Sequence, residues 1–358
     1  MDETPRESVT GWQILRRNIV RVVIGAVLVT AVYGVVRVYS TNLREQHSTS
    51  LREQRIAREV ESLTTKFVRI GTVHFENSRI AEVWIDGKFL KLDGQTLSTA
   101  LVSELQSLTN LSVLALNDTQ VTDVQLQNLS GLSNLKKLGL ANTQITDAVL
   151  QHLKGMNKLE WLYLDGTQVT DAGLEHLKGL TSLEGLRLDN TQITGVGLPR
   201  LKGLTRLDFL NLANTQVTDA GLAHLKGHPS LRKLVLENTQ VTDAGLEHLQ
   251  GLPSLEELTL DSTQITDVGL QHLKGMIRLK LLFLDNTQVT DAGLEYLKGL
   301  VKLERISLSK TQVTDSGMKC LTGLTRLEFI ALDNTQVTSK GRSLLRNALP
   351  HCATDEDF

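Results

Sequence analysis

The repeating pattern of this chain is clearest in residues 159–182, which read LEWLYLDGTQVTDAGLEHLKGLTS. Leu162 and Leu164 alternate with aromatic or polar neighbours, a spacing that predicts a short strand with one buried face. Three further leucines follow at helical spacing and predict the inner face of a short helix. One strand and one short helix cannot bury their own leucines, so the unit must stack against neighbours.

The unit recurs every 24 residues, in ten copies without an insertion between their starts. The first leucine is position 1 of each unit, and these leucines are Leu111, Leu135, Leu159, Leu183, Leu207, Leu231, Leu255, Leu279, Leu303 and Leu327. The tetrapeptide TQVT or TQIT occurs in all ten units. Because strands are narrower than helices, we expect a curved stack with a parallel sheet on its concave side and helices on its convex side.

Polar residues after each strand have predicted structural roles. The first threonine of the tetrapeptide, such as Thr215, falls at an inward position, where a hydroxyl can satisfy backbone groups of the turn. Either Thr170 or Asp171 can cap the helix that follows. Gly179 and its equivalents are predicted to end the helices with a positive φ.

The repeat matches the pattern L-x-x-L-x-L-x-x-N-x-L closely, and it resembles the leucine-rich repeat proteins. It is most similar to their bacterial 24-residue class with a T-Q-[VI]-T-D-x-G-L centre, over roughly residues 110–350. The resemblance implies an α/β fold, a right-handed solenoid of horseshoe shape with a parallel concave sheet and short convex helices. It also implies a non-catalytic recognition module that binds its partner on the concave face.

Open solenoid ends need caps, and both flanks of the array are candidates. Residues 67–110 are predicted to form the front cap, with residues 80–85 as the strand of a degenerate repeat and residues 97–108 as its helix. The ten repeats then occupy residues 111–339. Residues 340–358 are predicted to form the C-terminal cap and tail, where Arg342 replaces an inward leucine.

An apolar stretch near the N-terminus predicts a membrane anchor. After a tail at residues 1–18, residues 19–39 reach roughly the length of a bilayer-spanning helix, which takes about 20 residues. A cleaved signal peptide and a buried soluble helix are the alternatives, but no clean cleavage pattern follows the stretch. A slight excess of arginines before it favours an N-terminus inside and a repeat domain outside the cytoplasm.

The segment between anchor and cap is polar. Residues 40–66 contain the sequence LREQ twice and a narrow apolar helical stripe, which predicts a helical stalk. Residues 43–63 also allow weak self-association as a short coiled coil, although two heptads are few for that purpose.

Composition excludes several classes of function. The chain has 38 basic and 40 acidic residues, a balance that argues against a general nucleic-acid binder. It lacks the sequence signatures of hydrolases, zinc proteases and P-loop enzymes, so no enzymatic activity and no cofactor are predicted. Five histidines share one helix position, one per unit, and helix spacing is too wide for them to share a zinc ion, so no metal is predicted: His152, His176, His224, His248 and His272.

Positions 3, 5 and 7 of each unit are predicted to face the concave surface. Five of the six aromatic residues in the ten units occupy them, as binding surfaces would require, although strands also favour aromatics for other reasons. Position 7 is often acidic, which indicates a basic partner, loosely held Ca²⁺ or merely a solvated turn boundary. The predicted partner-binding residues are Trp161, Tyr163, Asp165, Arg187, Asp189, Phe209, Phe283 and Phe329.

These features together predict a membrane-anchored recognition module that binds a protein or glycan on a leucine-rich repeat surface. The alternative is a structural or adhesive spacer at the cell envelope, in which near-identical repeats serve only rigidity. The aromatic residues favour the first reading, because a spacer has no need of them.

Overall fold

The computed structural model describes residues 111–357 and the backbone of two short strands at 82–84 and 89–91. Thirteen strands form one sheet in chain order. They are β1 Glu82–Trp84, β2 Phe89–Lys91, β3 Val113–Ala115, β4 Lys137–Gly139, β5 Trp161–Tyr163, β6 Gly185–Arg187, β7 Phe209–Asn211, β8 Lys233–Val235, β9 Glu257–Thr259, β10 Leu281–Phe283, β11 Arg305–Ser307, β12 Phe329–Ala331 and β13 Ala353–Thr354.

Short helices alternate with the strands from β3 onward. The α-helices are α1 Asp147–Leu150, α2 Asp219–Leu222, α3 Asp243–Leu249, α4 Asp267–Leu270, α5 Asp291–Leu294, α6 Asp315–Leu321 and α7 Ser339–Ala348. The 3-10 helices are Leu129–Gly131, Gln151–Leu153, Gly173–Leu177, Leu198–Gly203, Ala223–Leu225, Gln271–Leu273, Glu295–Leu297 and Asp355–Asp357. The predicted solenoid of parallel strands and short helices is therefore confirmed.

The register of the sheet follows the 24-residue period. Each strand from β2 to β12 pairs in parallel with the next, so Leu162 lies beside Leu186 and Phe89 lies beside Val113. β1 instead pairs antiparallel with β2. The prediction that residues 80–85 supply the degenerate repeat strand is thus wrong. That strand is β2, which lies one 24-residue step before β3.

The core is a continuous stack of leucines between the sheet and the helices. In the unit quoted first, Leu162 and Leu164 of the strand and Leu174, Leu177 and Leu180 of the helical side are fully buried, at 0% exposure. The same positions are buried in the neighbouring units. The predicted inner faces of strand and helix are both confirmed.

The predicted threonine ladder is present in all ten units. Each inward threonine donates its hydroxyl to the carbonyl oxygen three residues earlier, as Thr215 does to Leu212, over Oγ1–O distances of 2.5–2.7 Å. These carbonyls lie where the strand ends and the chain turns into the core, out of reach of water. The hydroxyl row therefore satisfies acceptors that would otherwise be buried without a partner.

The turn after each strand contains a left-handed residue at position 8. In all ten units this residue has a φ of 50–67°, and it is asparagine in six of them, as at Asn214, and glycine in one, Gly166. Asparagine and glycine tolerate this conformation better than other residues. The predicted positive φ at Gly179 is wrong: in that row of glycines it occurs at Gly155, Gly227 and Gly275, among the residues described.

Threonine, not aspartate, caps the helices. Thr170 Oγ1 accepts a hydrogen bond from the Ala172 backbone at 3.2 Å, and five equivalent threonines do the same. The aspartate beside the cap instead joins neighbouring units. Asp219, for example, accepts from the backbone N–H and the hydroxyl of Thr242 in the next unit, at 2.8 and 2.7 Å.

The C-terminal end is closed by a buried arginine. Arg342 is 6% exposed and forms a salt bridge with Asp355 at 2.8 Å. This contact ties α7 to the residues just after β13, a strand beyond the ten repeats that the sequence did not predict. The segment thereby covers the last strand of the array, as an end cap must.

Within the described part of the chain, no helix has the length and apolar character needed to cross a membrane. The predicted anchor at residues 19–39 and the predicted stalk at 40–66 lie outside that part.

Candidate binding surface on the sheet

The side chains at positions 3, 5 and 7 form the strand face, the side of the sheet turned away from the leucine core. Its N-terminal half holds three aromatic rings in contact. Trp161 and Tyr163 of β5 have ring centroids 6.0 Å apart and planes 21° apart. Trp161 also meets Phe209 of β7, at 5.9 Å and 30°. These three half-buried residues are called the aromatic platform below.

The platform depends on a glycine. Trp161 and Phe209 belong to β5 and β7, which are separated by β6, so their side chains must meet across an intervening strand. Gly185 occupies position 3 of β6, and a Cβ atom there would lie only 2.2 Å from the Trp161 ring. The indole therefore lies over Gly185. This contact could have been suspected from the single glycine at a position otherwise filled by larger residues.

A cation flanks the platform on the other side of β5. The Nζ atom of Lys137, on β4, lies 6.0 Å from the centroid of the Trp161 ring, within the range of a cation–π contact. Trp161 is thus held between Lys137, Gly185 and Phe209. A ring restrained in this way loses little conformational entropy when a partner covers it.

Arg187 lies beside Tyr163 in the register of the sheet. Its guanidinium donates to Asp189 at 3.2 and 3.3 Å, and its Nε is 3.4 Å from Asp165. The two carboxylates thus restrain the guanidinium of Arg187.

Asp189 differs from its predicted role. It is 8% exposed, and besides Arg187 it accepts hydrogen bonds from Asn211 at 2.8 Å and Asn190 at 3.2 Å. Its predicted contact with a partner stays a prediction, and little of its side chain is accessible for it. Four donors already occupy its oxygens, so it serves to position Arg187.

Asp165 is less well satisfied. Its Oδ1 atom is covered from solvent and accepts no hydrogen bond from any residue that the structure describes, although Arg187 lies close by. Burial raises the pKa of Asp165 above its usual value, more than the charge of Arg187 lowers it. Burial likewise raises the pKa of Tyr163, so its phenol stays protonated in neutral solution.

Phe283 and Phe329 lie apart from the platform, on β10 and β12. They share the C-terminal half of the strand face with the acidic residues of position 7. The expected acidic edge is interrupted, because Ala213 and Ser309 occupy two of its places. Burial raises the pKa of Asp261 in this half to about 6.

Histidine, cysteine and acidic residues, the candidate metal ligands, are not brought together into a metal site in the described part of the chain. Within the described residues, no group of three or more histidine, cysteine or acidic side chains could hold a metal ion. The five histidines of the helix row are half-buried or exposed. Cys320 at the same repeat position is instead buried, at 6% exposure, and its thiol donates to Glu295 at 3.0 Å.

Comparison with known proteins supports the fold. Residues 109–169 and 229–289 match the model of a leucine-rich repeat family. No curated protein matches the sequence. Among solved structures, an internalin of Listeria monocytogenes aligns with a TM-score of 0.57 and 23% identity, over 75% of this chain and 86% of the internalin chain. The fold is thus a solenoid of the leucine-rich repeat kind.

Two further structures align less well. A leucine-rich repeat protein of Leptospira interrogans has a TM-score of 0.47 and 21% identity, over 73% of this chain and 75% of its own. A plant peptide hormone receptor, RGFR1 in complex with RGF2, has a TM-score of 0.45 and 16% identity, over 70% of this chain and 44% of its own.

Proposed function

We propose that this chain is a non-catalytic recognition module that binds a protein partner on the strand face, with the aromatic platform at the centre of the contact. The observation that carries the proposal is the platform itself. Three rings meet on the outer surface of a sheet, where they add nothing to the leucine core.

Several physical features support this role. Tryptophan, tyrosine and arginine are the residues most enriched at the energetic centres of protein interfaces. Trp161, Tyr163 and Arg187 lie together here, and all three are restrained before a partner arrives. Solenoids, moreover, present extended surfaces of this kind for binding. A glycan is the second candidate partner, because a flat ring can also cover the apolar side of a sugar.

The proposal includes a membrane anchor at residues 19–39, with the strand face presented outside the cytoplasm. The apolar length and the arginine asymmetry of the sequence support it. Protease added to intact cells should then digest the repeat domain. Protection in intact cells, with digestion only after lysis, would reverse the orientation.

The test of binding compares two aromatic residues on opposite sides of the molecule. Partners are captured with the full chain from native membranes, and their affinity is then measured for Trp161→Ala and for Tyr296→Ala. Tyr296 is 36% exposed on the helical side, so it controls for the loss of an aromatic surface residue. We expect Trp161→Ala to weaken binding by about 2 kcal/mol or more and Tyr296→Ala to have little effect.

Ser307 is unsuitable as a control on the strand face. It is 6% exposed, and its hydroxyl donates to Asp285 at 2.5 Å, so its removal would disturb the sheet.

Equal binding by the wild type and Trp161→Ala, with unchanged circular dichroism, would contradict the proposal and favour the spacer.

A further inference from the structure

We propose that the partner is an extended, positively charged segment of a protein chain that lies across the strands. Its apolar or aromatic side chains would contact the aromatic platform and position 5, and its basic side chains would follow position 7. This inference rests on the proposed function, since it names the partner class of the same strand face.

The charged residues at position 7 are all acidic. Over the ten units it carries six acidic residues and no basic one: Asp165, Asp189, Glu237, Asp261, Asp285 and Asp333. Glu237, Asp261 and Asp285 follow one another on three successive units, and among the described residues none of them forms an ion pair. A partner that covers this row must supply the compensating charge, because like charges brought together across an interface repel each other.

Apolar side chains run beside the acidic row. Position 5 holds Tyr163, Val235 and Phe283, each half-buried. Alternate side chains of an extended chain point in opposite directions, so one set can meet position 5 while the other meets position 7. An alternating basic and apolar sequence therefore fits the two rows at once.

The N-terminal end of the row contains an acceptor that still needs a donor. Asp165 Oδ1 is covered and accepts no hydrogen bond within the described chain. Arg187 is shared between Asp165 and the buried Asp189, so one guanidinium serves two carboxylates. A lysine or arginine from the partner would complete this cluster beside the aromatic platform.

The length of the row sets the length of the partner segment. Asp165 follows β5 and Asp333 follows β12, so seven strand-to-strand steps separate them. At about 4.8 Å per step and about 3.3 Å per extended residue, the row accommodates roughly ten residues of a partner.

The first part of the test measures charge preference. Two fluorescein-labelled decapeptides, one alternating lysine with tyrosine and one alternating glutamate with tyrosine, are titrated with the full chain and followed by fluorescence anisotropy. We expect the lysine peptide to bind at least ten times more tightly, with an affinity that falls as salt is added.

The second part of the test asks whether the carboxylates of position 7 cause the charge preference. The triple variant Glu237→Gln, Asp261→Asn, Asp285→Asn removes three charges from the strand face. The amide Oδ1 of the new residues can still accept the backbone hydrogen bonds from Asp285 and Ser309. We expect the lysine peptide to lose at least fivefold in affinity.

A matched control removes the same charge elsewhere. The variant Glu175→Gln, Glu247→Gln, Glu295→Gln alters three exposed carboxylates on the helical side. We expect a change of less than twofold. Should the first triple variant fail to fold, Glu237→Gln alone serves, because Glu237 is exposed and its loss should still weaken the lysine peptide about twofold.

Three outcomes would overturn the inference: equal affinity for the two decapeptides, equal losses in the two triple variants, or no binding of either decapeptide. The proposed function is tested separately, by capturing partners from native membranes and comparing the wild type with Trp161→Ala. If a captured partner depends on Trp161 but neither on salt nor on the position 7 carboxylates, the aromatic platform binds a protein that is not cationic.

Discussion

At the scale of single residues, the inward threonines explain why the tetrapeptide TQVT or TQIT recurs without exception. Thr215 is 6% exposed, and its hydroxyl is the donor that the carbonyl of Leu212 needs at the end of β7. Valine has nearly the same shape but no donor. The cost of the substitution therefore isolates the hydrogen bond.

We predict that Thr215→Val lowers the free energy of unfolding by about 1–3 kcal/mol, because it leaves a buried acceptor unpaired. Gln216→Ala is the control, since the Gln216 side chain is exposed and only its backbone joins the neighbouring unit. Urea titrations of both variants check the prediction. Equal stability of the two would show that the hydroxyl row is dispensable.

One residue breaks the apolar pattern of the core. His228 occupies position 22, where neighbouring units have Leu204 and Leu252, and it is 5% exposed. Neither ring nitrogen forms a well-aligned hydrogen bond to any described residue. Burial lowers the pKa of His228, and the nearby Leu204 carbonyl offsets only part of that effect.

A depressed histidine pKa makes the folded state less stable in acid. Above a pH of about 6.5 the ring is neutral in both states and carries no penalty. As the pH falls below that value, the unfolded chain takes up the proton first, and stability drops until the folded pKa has been passed. We predict that His228→Leu is more stable than the wild type, by a margin that grows between pH 7.5 and pH 5.5. Urea titrations at the two pH values measure it, and a constant margin would contradict the assignment.

At the scale of elements, aspartates at position 13 join one unit to the next. Eight of them accept both the N–H and the hydroxyl of the following cap threonine, with Oγ1–Oδ distances of 2.5–2.7 Å. The row is broken where Gly195, with a φ of 101°, replaces the aspartate. Thr218, which faces it, makes no side-chain hydrogen bond within the described chain.

This break supplies a matched pair of variants. Thr242 and Thr218 share one repeat position, but only Thr242 has an aspartate partner, Asp219. We predict that Thr242→Val lowers the free energy of unfolding by about 1 kcal/mol more than Thr218→Val does. The comparison is made by chemical denaturation. Equal losses would mean that the inter-unit bond contributes nothing to stability.

The elements were largely predictable because leucine spacing has a direct physical meaning. Alternation gives the strands, helical spacing gives the helices, and the 24-residue period gives the register. The sequence was less informative where two residue types could serve one role. Thr170 and Asp171 were both plausible caps, and the structure assigns the cap to Thr170. The left-handed asparagines, such as Asn214, could have been recognised from their conformational preference.

At the scale of the whole molecule, the buried core is nearly the same in every unit, whereas the strand face differs from unit to unit. The leucine core repeats from unit to unit, so it explains stability but not selectivity. The variable positions 3, 5 and 7 were identifiable because strand side chains alternate between faces. That the Trp161 side chain lies over Gly185 could have been suspected from the glycine, but that its ring reaches Phe209 was not predictable, since it depends on a side-chain rotamer. The burial of Asp189 depends likewise on Asn211 of the adjacent strand.

The central claim is that a partner lies on the strand face and not on the helices. It is tested most directly by photo-cross-linking with p-benzoylphenylalanine, placed in the full chain first at Tyr163 and then at Tyr296. A covalent adduct with the captured partner from position 163, and none from position 296, is the predicted result. An adduct from position 296 alone, or from neither position while the partner remains bound, would contradict it.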